Sequence, residues 1–543
     1  MPNTRAETPT RKRKESYGSW QSPITPQFIT SSTLGLSSLK LDTDGNLYWL
    51  EGRPKEKGRY VVVKRDSMSL AESELTPKDA NVRTRVHEYG GGAFVLAPKE
   101  LGGGVIYSNF ACQRLFWSGK HGHTGGPICV TPESDEMPKN RYRYADGEIV
   151  RVGREAFELV CVREDHGANG NASPKDVVNA VVAVSLDGSG STRVLATGKD
   201  FYLSPRVSSP DNPDVGSRFL TYISYDHPSM PWDATAIHAT SFSSPSSPET
   251  AAHALIDGDG DTSIMQPAWH VSGALYYISD ATGYYNLRRV PRIASLDSIG
   301  PGAQILPHDG ADFGGSSPGW MLGQRGYAFA SDGGVLAHVP DRSTDGGGTL
   351  LVVFDEPSDD PDKGDVAQQV ARTKRSFSGQ DGLPYFLGNL TPSVDGKTLF
   401  MLSGAPDQPT SIASWTMDGG GAPADIIKSS STADMAALAP FISRPVPITF
   451  PSTLGDSHAY YYAPRNDAFT ADGAPPLLVK AHGGPTACAS SVFNAGIQFW
   501  TSRGFAVVDV DYGGSTGYGR DYRRRLRGTW YVQVLSRVAR DDR

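Results

Sequence analysis

From about residue 31 to residue 440 the chain is a succession of short apolar or alternating stretches, each closed by a turn dipeptide. Leu47-Tyr48-Trp49-Leu50 follows Asp44-Gly45, Ala180-Val181-Val182-Ala183-Val184 precedes Asp187-Gly188, and Thr398-Leu399-Phe400-Met401-Leu402 follows Asp395-Gly396. β-Branched and aromatic residues suit pleated strands, and Asp-Gly supplies the positive φ of tight hairpins. Helical periodicity is scarce over the same span. So long a run of strands overfills one sandwich, whereas radial repetition limits exposed edges. At about 50–60 residues per unit it predicts a β-propeller of seven or eight four-stranded blades. The 60 glycines and 39 prolines fit a turn-rich chain and follow no collagen-like period.

Near residue 441 the texture changes. Residues 441–450 read as a linker feeding a strand, Ala459–Ala463 as a second strand and Pro476–Ala481 as a third. The third ends at His482-Gly483-Gly484-Pro485. A helical stretch follows, with Phe493, Ile497 and Trp500 on one face, closed by Gly504. Phe505–Val510 then reads as a buried strand. Strand, helix and strand in that order indicate a parallel βαβ unit, the start of an α/β domain. The predicted organisation is an arm over 1–30, a propeller over 31–440 and a partial hydrolase domain over 441–543, in a mostly β chain.

The His482-Gly483-Gly484-Pro485 turn points to chemistry. Acyl transfer through a tetrahedral intermediate needs fixed donors for the oxyanion, and α/β-hydrolases take one from an HGG-type loop after the third strand. Glycine lets that backbone turn sharply and approach substrate closely. Gly483 and Gly484 are therefore the oxyanion-hole candidates; an ordinary glycine turn closing a strand is the alternative.

Composition narrows the partners. With 52 Lys+Arg against 59 Asp+Glu the net charge is −7, which disfavours nucleic acid. No apolar run approaches the roughly 18 residues that span a bilayer, and the first twenty residues lack a secretory apolar segment. Cys112, Cys129, Cys161 and Cys488 show no CxxC spacing, so neither a disulfide framework nor a zinc site is expected, and the expected location is cytoplasmic. The run Arg11-Lys12-Arg13-Lys14 reads as a solvated tail rather than an import signal, and His121 and His123 as surface loop residues. No metal or cofactor is expected.

Several segments carry a resemblance. Tyr17–Ile24, Arg83–Gly92, Asp226–Asp233, Gln266–Trp269, Ser279–Leu287, Ala311–Gly315, the HGGP turn and Asp511–Gly519 are similar, in order, to the prolyl oligopeptidase family of serine peptidases, within its acylaminoacyl-peptidase and dipeptidyl-peptidase-like branch. The resemblance implies a propeller covering an α/β-hydrolase domain that cleaves short peptides through an acyl-enzyme. It implies an oxyanion donor at Gly484 and an active-site loop around Ser515 and Tyr518. Arg85 and Glu88 lie in a shared segment where a carboxylate would hold a peptide's N-terminal amine; a hydrogen-bonded structural role is the alternative.

Gly513-Gly514-Ser515-Thr516-Gly517 matches the nucleophile pattern G-x-S-x-G, yet it follows the strand one before the expected elbow. The family carries a structural glycine-rich loop there, and the order Ser…Asp/Glu…His needs a later histidine, while all 12 histidines lie at or before His482. Ser515 is accordingly read as a loop residue and no catalytic residue is assigned. The resemblance lapses after Trp530, as a frameshift, retained intron or gene-model error would produce. The expectation is an inactive chain whose Leu477–Ala481 strand has an unpaired edge; a non-catalytic propeller that binds peptide or protein is the alternative function. The arginines Arg523, Arg524 and Arg525 read as a solvated helix face.

Overall fold

The computed structural model describes residues 12–528, except 32, 120–125, 132–140, 168–169, 171, 209–217, 243–251, 307–309, 314–318, 342–347, 385, 418–419 and 485. Arg11, His121, His123, Pro485 and the segment after residue 528 therefore lie outside the described residues.

Asp-turn chemistry builds the hairpins. The Asp42 carboxylate accepts the N–H groups of Asp44 and Asn46, both at 2.9 Å, and Gly45 takes φ +78°. This folds Gly35–Leu41 back on Leu47–Arg53. Asp187 and Asp395 close later turns by accepting the N–H groups of Ser189 and Lys397. Repeated along the chain, such hairpins give seven consecutive four-stranded antiparallel sheets among the described residues. Their first strands are Gly35–Leu41, Phe94–Leu96, Tyr142–Arg151, Phe201–Val207, Ile264–Trp269, Tyr327–Phe329 and Phe386–Pro392.

Each sheet buries its faces against its neighbours. The first and second share a core around Val62 and Tyr107, the second and third around Trp117 and Val182, and the third to fifth around Val162, Leu220 and Tyr277. Phe354 packs between fifth and sixth, and Trp415 between sixth and seventh. Trp49 and Val61 of the first sheet share a further cluster with Leu402 and Ile412 of the seventh.

One local device recurs. The first strands of five sheets carry a register shift at a non-glycine residue of positive φ: Ser38, Asp146, Ser204, Gln266 and Asn389. In the second sheet Gly92, at φ +57°, stands two residues before Phe94. A bulge re-aims the side chain that follows it. Lys40, Phe94, Glu148, Arg206, Ala268 and Thr391, each two residues beyond such a position, all border one cavity at which the seven first strands converge.

The remaining sheet has strand order Val446–Ser452, Gly455–Tyr462, Ala506–Asp511, Leu477–Ala481. The first two contacts are antiparallel, and the last is parallel, joined through the helix Ala495–Thr501. Asn494 caps that helix by accepting the N–H groups of Gly496 and Ile497. Ile497 is buried as its periodicity predicts, but Trp500 is 42% exposed, packed edge-on against Phe499 and Phe505 at the helix rim. Among the described residues Leu477–Ala481 pairs on one side only, and Leu477 and Val479 are 54% and 52% exposed.

The described part of the basic run is exposed, as expected, but it is a paired strand rather than a tail. Arg13–Lys14 pairs in parallel with Phe469–Thr470, with Asp467 and Asp472 supplying partners for Lys12 and Lys14. No helix among the described residues is long and apolar enough to cross a membrane.

Candidate active site

The strand Leu477–Ala481 delivers its chain to an exposed turn. Gly484 takes φ +118°, which L side chains rarely adopt, and no neighbour lies within 4 Å of where a Gly483 Cβ would stand. Among the described residues neither the Gly483 nor the Gly484 N–H donates a hydrogen bond within the chain. Two unspent backbone donors therefore project from an open glycine turn.

His482, at the base of that turn, is fixed from three directions. Its ring stacks on Tyr512 at 4.4 Å, its carbonyl accepts the Tyr512 hydroxyl at 3.1 Å, and its Nε2 lies 2.6 Å from Ser515 Oγ. The sequence placed the His482 turn and the Ser515 loop at one site without pairing these side chains; the structure sets them in direct contact. The arrangement nevertheless differs from a catalytic triad. Ser515 is fully buried, and the nearest carboxylate oxygen, Asp511 Oδ1, lies 3.9 Å from the same Nε2 that faces the serine. His482 Nδ1, where a triad's acid would sit, instead lies 2.9 Å from the Gly483 carbonyl oxygen. Asp511 is occupied elsewhere, accepting from Ala489 N at 2.6 Å and from the Tyr518 hydroxyl at 2.6 Å.

The loop carrying Ser515 and Tyr518 is held from two sides. Thr516 N donates to Ala487 O at 2.9 Å, tying it to the segment after the glycine turn. Tyr518 stacks on His458 at 4.3 Å and 7°. Gly517 N donates to Asp312 Oδ2 at 2.8 Å, anchoring the loop to the fifth sheet's neighbourhood.

Behind it, the Arg520–Arg524 helix corrects the sequence reading of a solvated arginine face. Arg523 is buried, bonded to Asp280 and 3.2 Å from Asp312, with its guanidinium over the Tyr285 ring at 4.1 Å. Arg524 pairs with Asp261. Both Asp280 and Asp312 lie in segments singled out by resemblance, so the two acids and the arginine belong to one buried cluster. Burial pushes the Asp280 carboxyl up although Arg523 beside it pulls the other way.

Arg85 and Glu88 sit at the far side of the turn. His87 and Glu88 are consecutive non-glycine residues in the left-handed region, φ +54° and +62°, a conformation that costs energy and concentrates at functional sites. Gly91 has no space for a side chain, since a Cβ would stand 2.2 Å from Leu322 O. The Glu88 carboxylate is 63% exposed and pairs with Arg143 at 2.6 Å and Arg85 at 3.2 Å. Partial burial pushes its carboxyl up, but Arg143 and Arg85 overcome this and hold it below the usual range. Tyr89 packs on Trp320 at 4.8 Å, and Trp320 Nε1 reaches Thr486 O at 3.5 Å, just past the glycine turn. Trp320 carried no signal in the sequence, because it lies in none of the recognisable segments. Among the described residues no group of three His, Cys, Asp or Glu is placed to hold a metal ion.

Comparison with known proteins bears on this geometry. The sequence profile described as "Prolyl oligopeptidase family" matches residues 491–536. Dipeptidyl aminopeptidase BIII of Pseudoxanthomonas mexicana is 38% identical over 68 residues, a stretch that is 12% of this chain and 10% of that protein's length. The structure of a puromycin-hydrolyzing peptidase of Mycobacterium tuberculosis superposes with TM-score 0.78 and 29% identity, over 95% of this chain and 72% of that one. The acylaminoacyl peptidase of Pyrococcus horikoshii shares the fold at TM-score 0.55 and 12% identity, over 92% of this chain and 68% of that one.

Proposed function

We propose that the chain, which matches the prolyl oligopeptidase family profile over residues 491–536 and superposes on a puromycin-hydrolyzing peptidase, forms the substrate-admitting and oxyanion-binding part of a serine peptidase acting on short peptides. In this reading the seven sheets are the blades of a propeller, and the strands from Val446 to Asp511 open an α/β-hydrolase sheet. The observation that carries it is the Gly483–Gly484 turn, with two uncommitted N–H groups at the end of a parallel strand. A scissile carbonyl oxygen seated there would gain both donors as it becomes an oxyanion. The exposed Glu88 carboxylate, reached from the turn through Trp320 and Tyr89, would hold the ammonium of an N-terminal residue. The relatives' names, an aminopeptidase and a puromycin hydrolase, support aminoacyl or acyl-aminoacyl bonds as the target.

Ser515 is not the nucleophile in this reading. Its Oγ is enclosed, its histidine lacks an acid on Nδ1, and its loop is pinned at Thr516 and Gly517. The 543-residue polypeptide is therefore expected to hydrolyse no aminoacyl p-nitroanilide and to take no fluorophosphonate label. Turnover or labelling that disappears in Ser515→Ala would make Ser515 the nucleophile and overturn the assignment. A second reading, peptide binding without turnover, is favoured by the cavity of about 670 Å³ where the seven first strands converge.

A further inference from the structure

That cavity holds three cations and three carboxylates that are not paired one to one. Lys40 and Asp42 enter from the first sheet, Asp146 and Glu148 from the third, Arg206 from the fourth, and Arg325 from the strand approach of the sixth. Asp42 is spent within its own turn, accepting from Asp44 N, Asn46 and the Tyr48 hydroxyl. Arg206 and Asp146 satisfy each other at 2.7 Å, with Ser204 Oγ adding a bond to Asp146 at 3.1 Å. Glu148 accepts the Val207 N–H at 3.0 Å. The other two cations are uncommitted. Among the described residues Arg325 makes no hydrogen bond or ion pair and stands exposed to the cavity. Lys40 makes only a contact with the Phe94 ring, at 5.4 Å from ammonium to centroid. Cations drawn together in a confined space without partners raise the potential there and favour a counter-charge.

We propose that this cavity binds a carboxylate, that of a peptide's C-terminus, between Arg325 and Lys40. This names the ligand chemistry for the second reading above and rests on it. A planar guanidinium beside an ammonium matches a two-oxygen monoanion. Asp146 and Glu148 repel a dianion such as phosphate. Phe94, Trp269 and Phe329 in the same lining offer apolar surface to the side chains of the last residues.

The charge on Lys40 makes the site pH-dependent. Burial, then Arg325 and Arg206, lowers its pKa to about 7, with Asp146 and Glu148 opposing. A lysine lowered in this way is neutral above pH 7, so an entering carboxylate draws a proton onto it. Affinity then rises as pH falls from 8 to 6.

Titration calorimetry on the full chain tests this, with Ala-Ala-Ala, its C-terminal amide and acetate as probes. The acid should bind about tenfold or more tightly than the amide. Arg325→Gln and Lys40→Met should each erase that preference, and Arg325→Lys should retain part of it. In the unaltered chain the heat of binding near pH 7.5 should vary with the buffer's ionisation enthalpy, showing proton uptake; Lys40→Met should remove this. Acetate binding as tightly as the tripeptide would identify a free small acid, rather than a peptide end, as the carboxylate's source. Equal binding of acid and amide overturns the inference while peptide binding stands; no binding of either peptide overturns both.

Discussion

Arg523→Met should loosen the Ser515–Tyr518 loop far more than loss of a surface arginine would. The guanidinium is 1% exposed, between Asp280 and Asp312, both 0% exposed. Removing one partner of a buried pair costs about 3–5 kcal/mol. Some compensation remains, because Asp280 still accepts Ser263 N at 2.8 Å, and Asp312 accepts Tyr285 N at 3.0 Å and Gly517 N at 2.8 Å. The lower end, about 3 kcal/mol, is therefore the expected loss, roughly a hundredfold in the opening equilibrium. Hydrogen exchange at the Gly517 and Gly519 amides, both donors to Asp312, reads it directly. The sign with pH follows from Asp280. Its carboxyl is raised in the folded chain, so protonation favours the fold, and the benefit is lost as pH rises through the folded value. Without Arg523 that carboxyl rises further, and acidification should restore part of the lost protection. Exchange unchanged in Arg523→Met at neutral pH would refute a role for this cluster in holding the loop.

Gly91→Ala should destabilise the chain by more than about 2 kcal/mol, seen as a lower thermal midpoint, because its Cβ would meet Leu322 O at 2.2 Å. Val479→Lys should reduce self-association in light scattering, since it places a charge on the exposed apolar edge of Leu477–Ala481. Glu88→Gln should lower stability at neutral pH. Because the Glu88 carboxyl is depressed in the folded chain, the difference from the parent should vanish as pH falls through that depressed value, measured by denaturation at several pH values.

The strands were legible because their cues are local. Alternating Val, Tyr and Ile between Asp-Gly turns marked the hairpins, and the strand, HGG turn, helix and strand near the C-terminus marked the parallel unit. The bulge that recurs in that repeat was not. Its positions hold Ser38, Asp146, Ser204, Gln266 and Asn389, which share a conformation and no residue identity. Arg523 misled for a related reason. An arginine within Arg523-Arg524-Arg525 looks solvated until acids more than two hundred residues away are brought to it. The direct Ser515–His482 contact was not foreseen, because triad logic follows chain order, whereas a parallel crossover set the ends of two adjacent strands side by side.

The meeting of the first and seventh sheets has a consequence for chain engineering. Trp49 and Ile412 meet there by packing, and among the described residues no strand passes from one sheet into the other. Leu34 N donates to Ser430 O at 2.7 Å, so entry and exit of this region are neighbours in space. Bridging them with a short linker and cutting the backbone at a hairpin elsewhere would give a circular permutant with the same lateral neighbours.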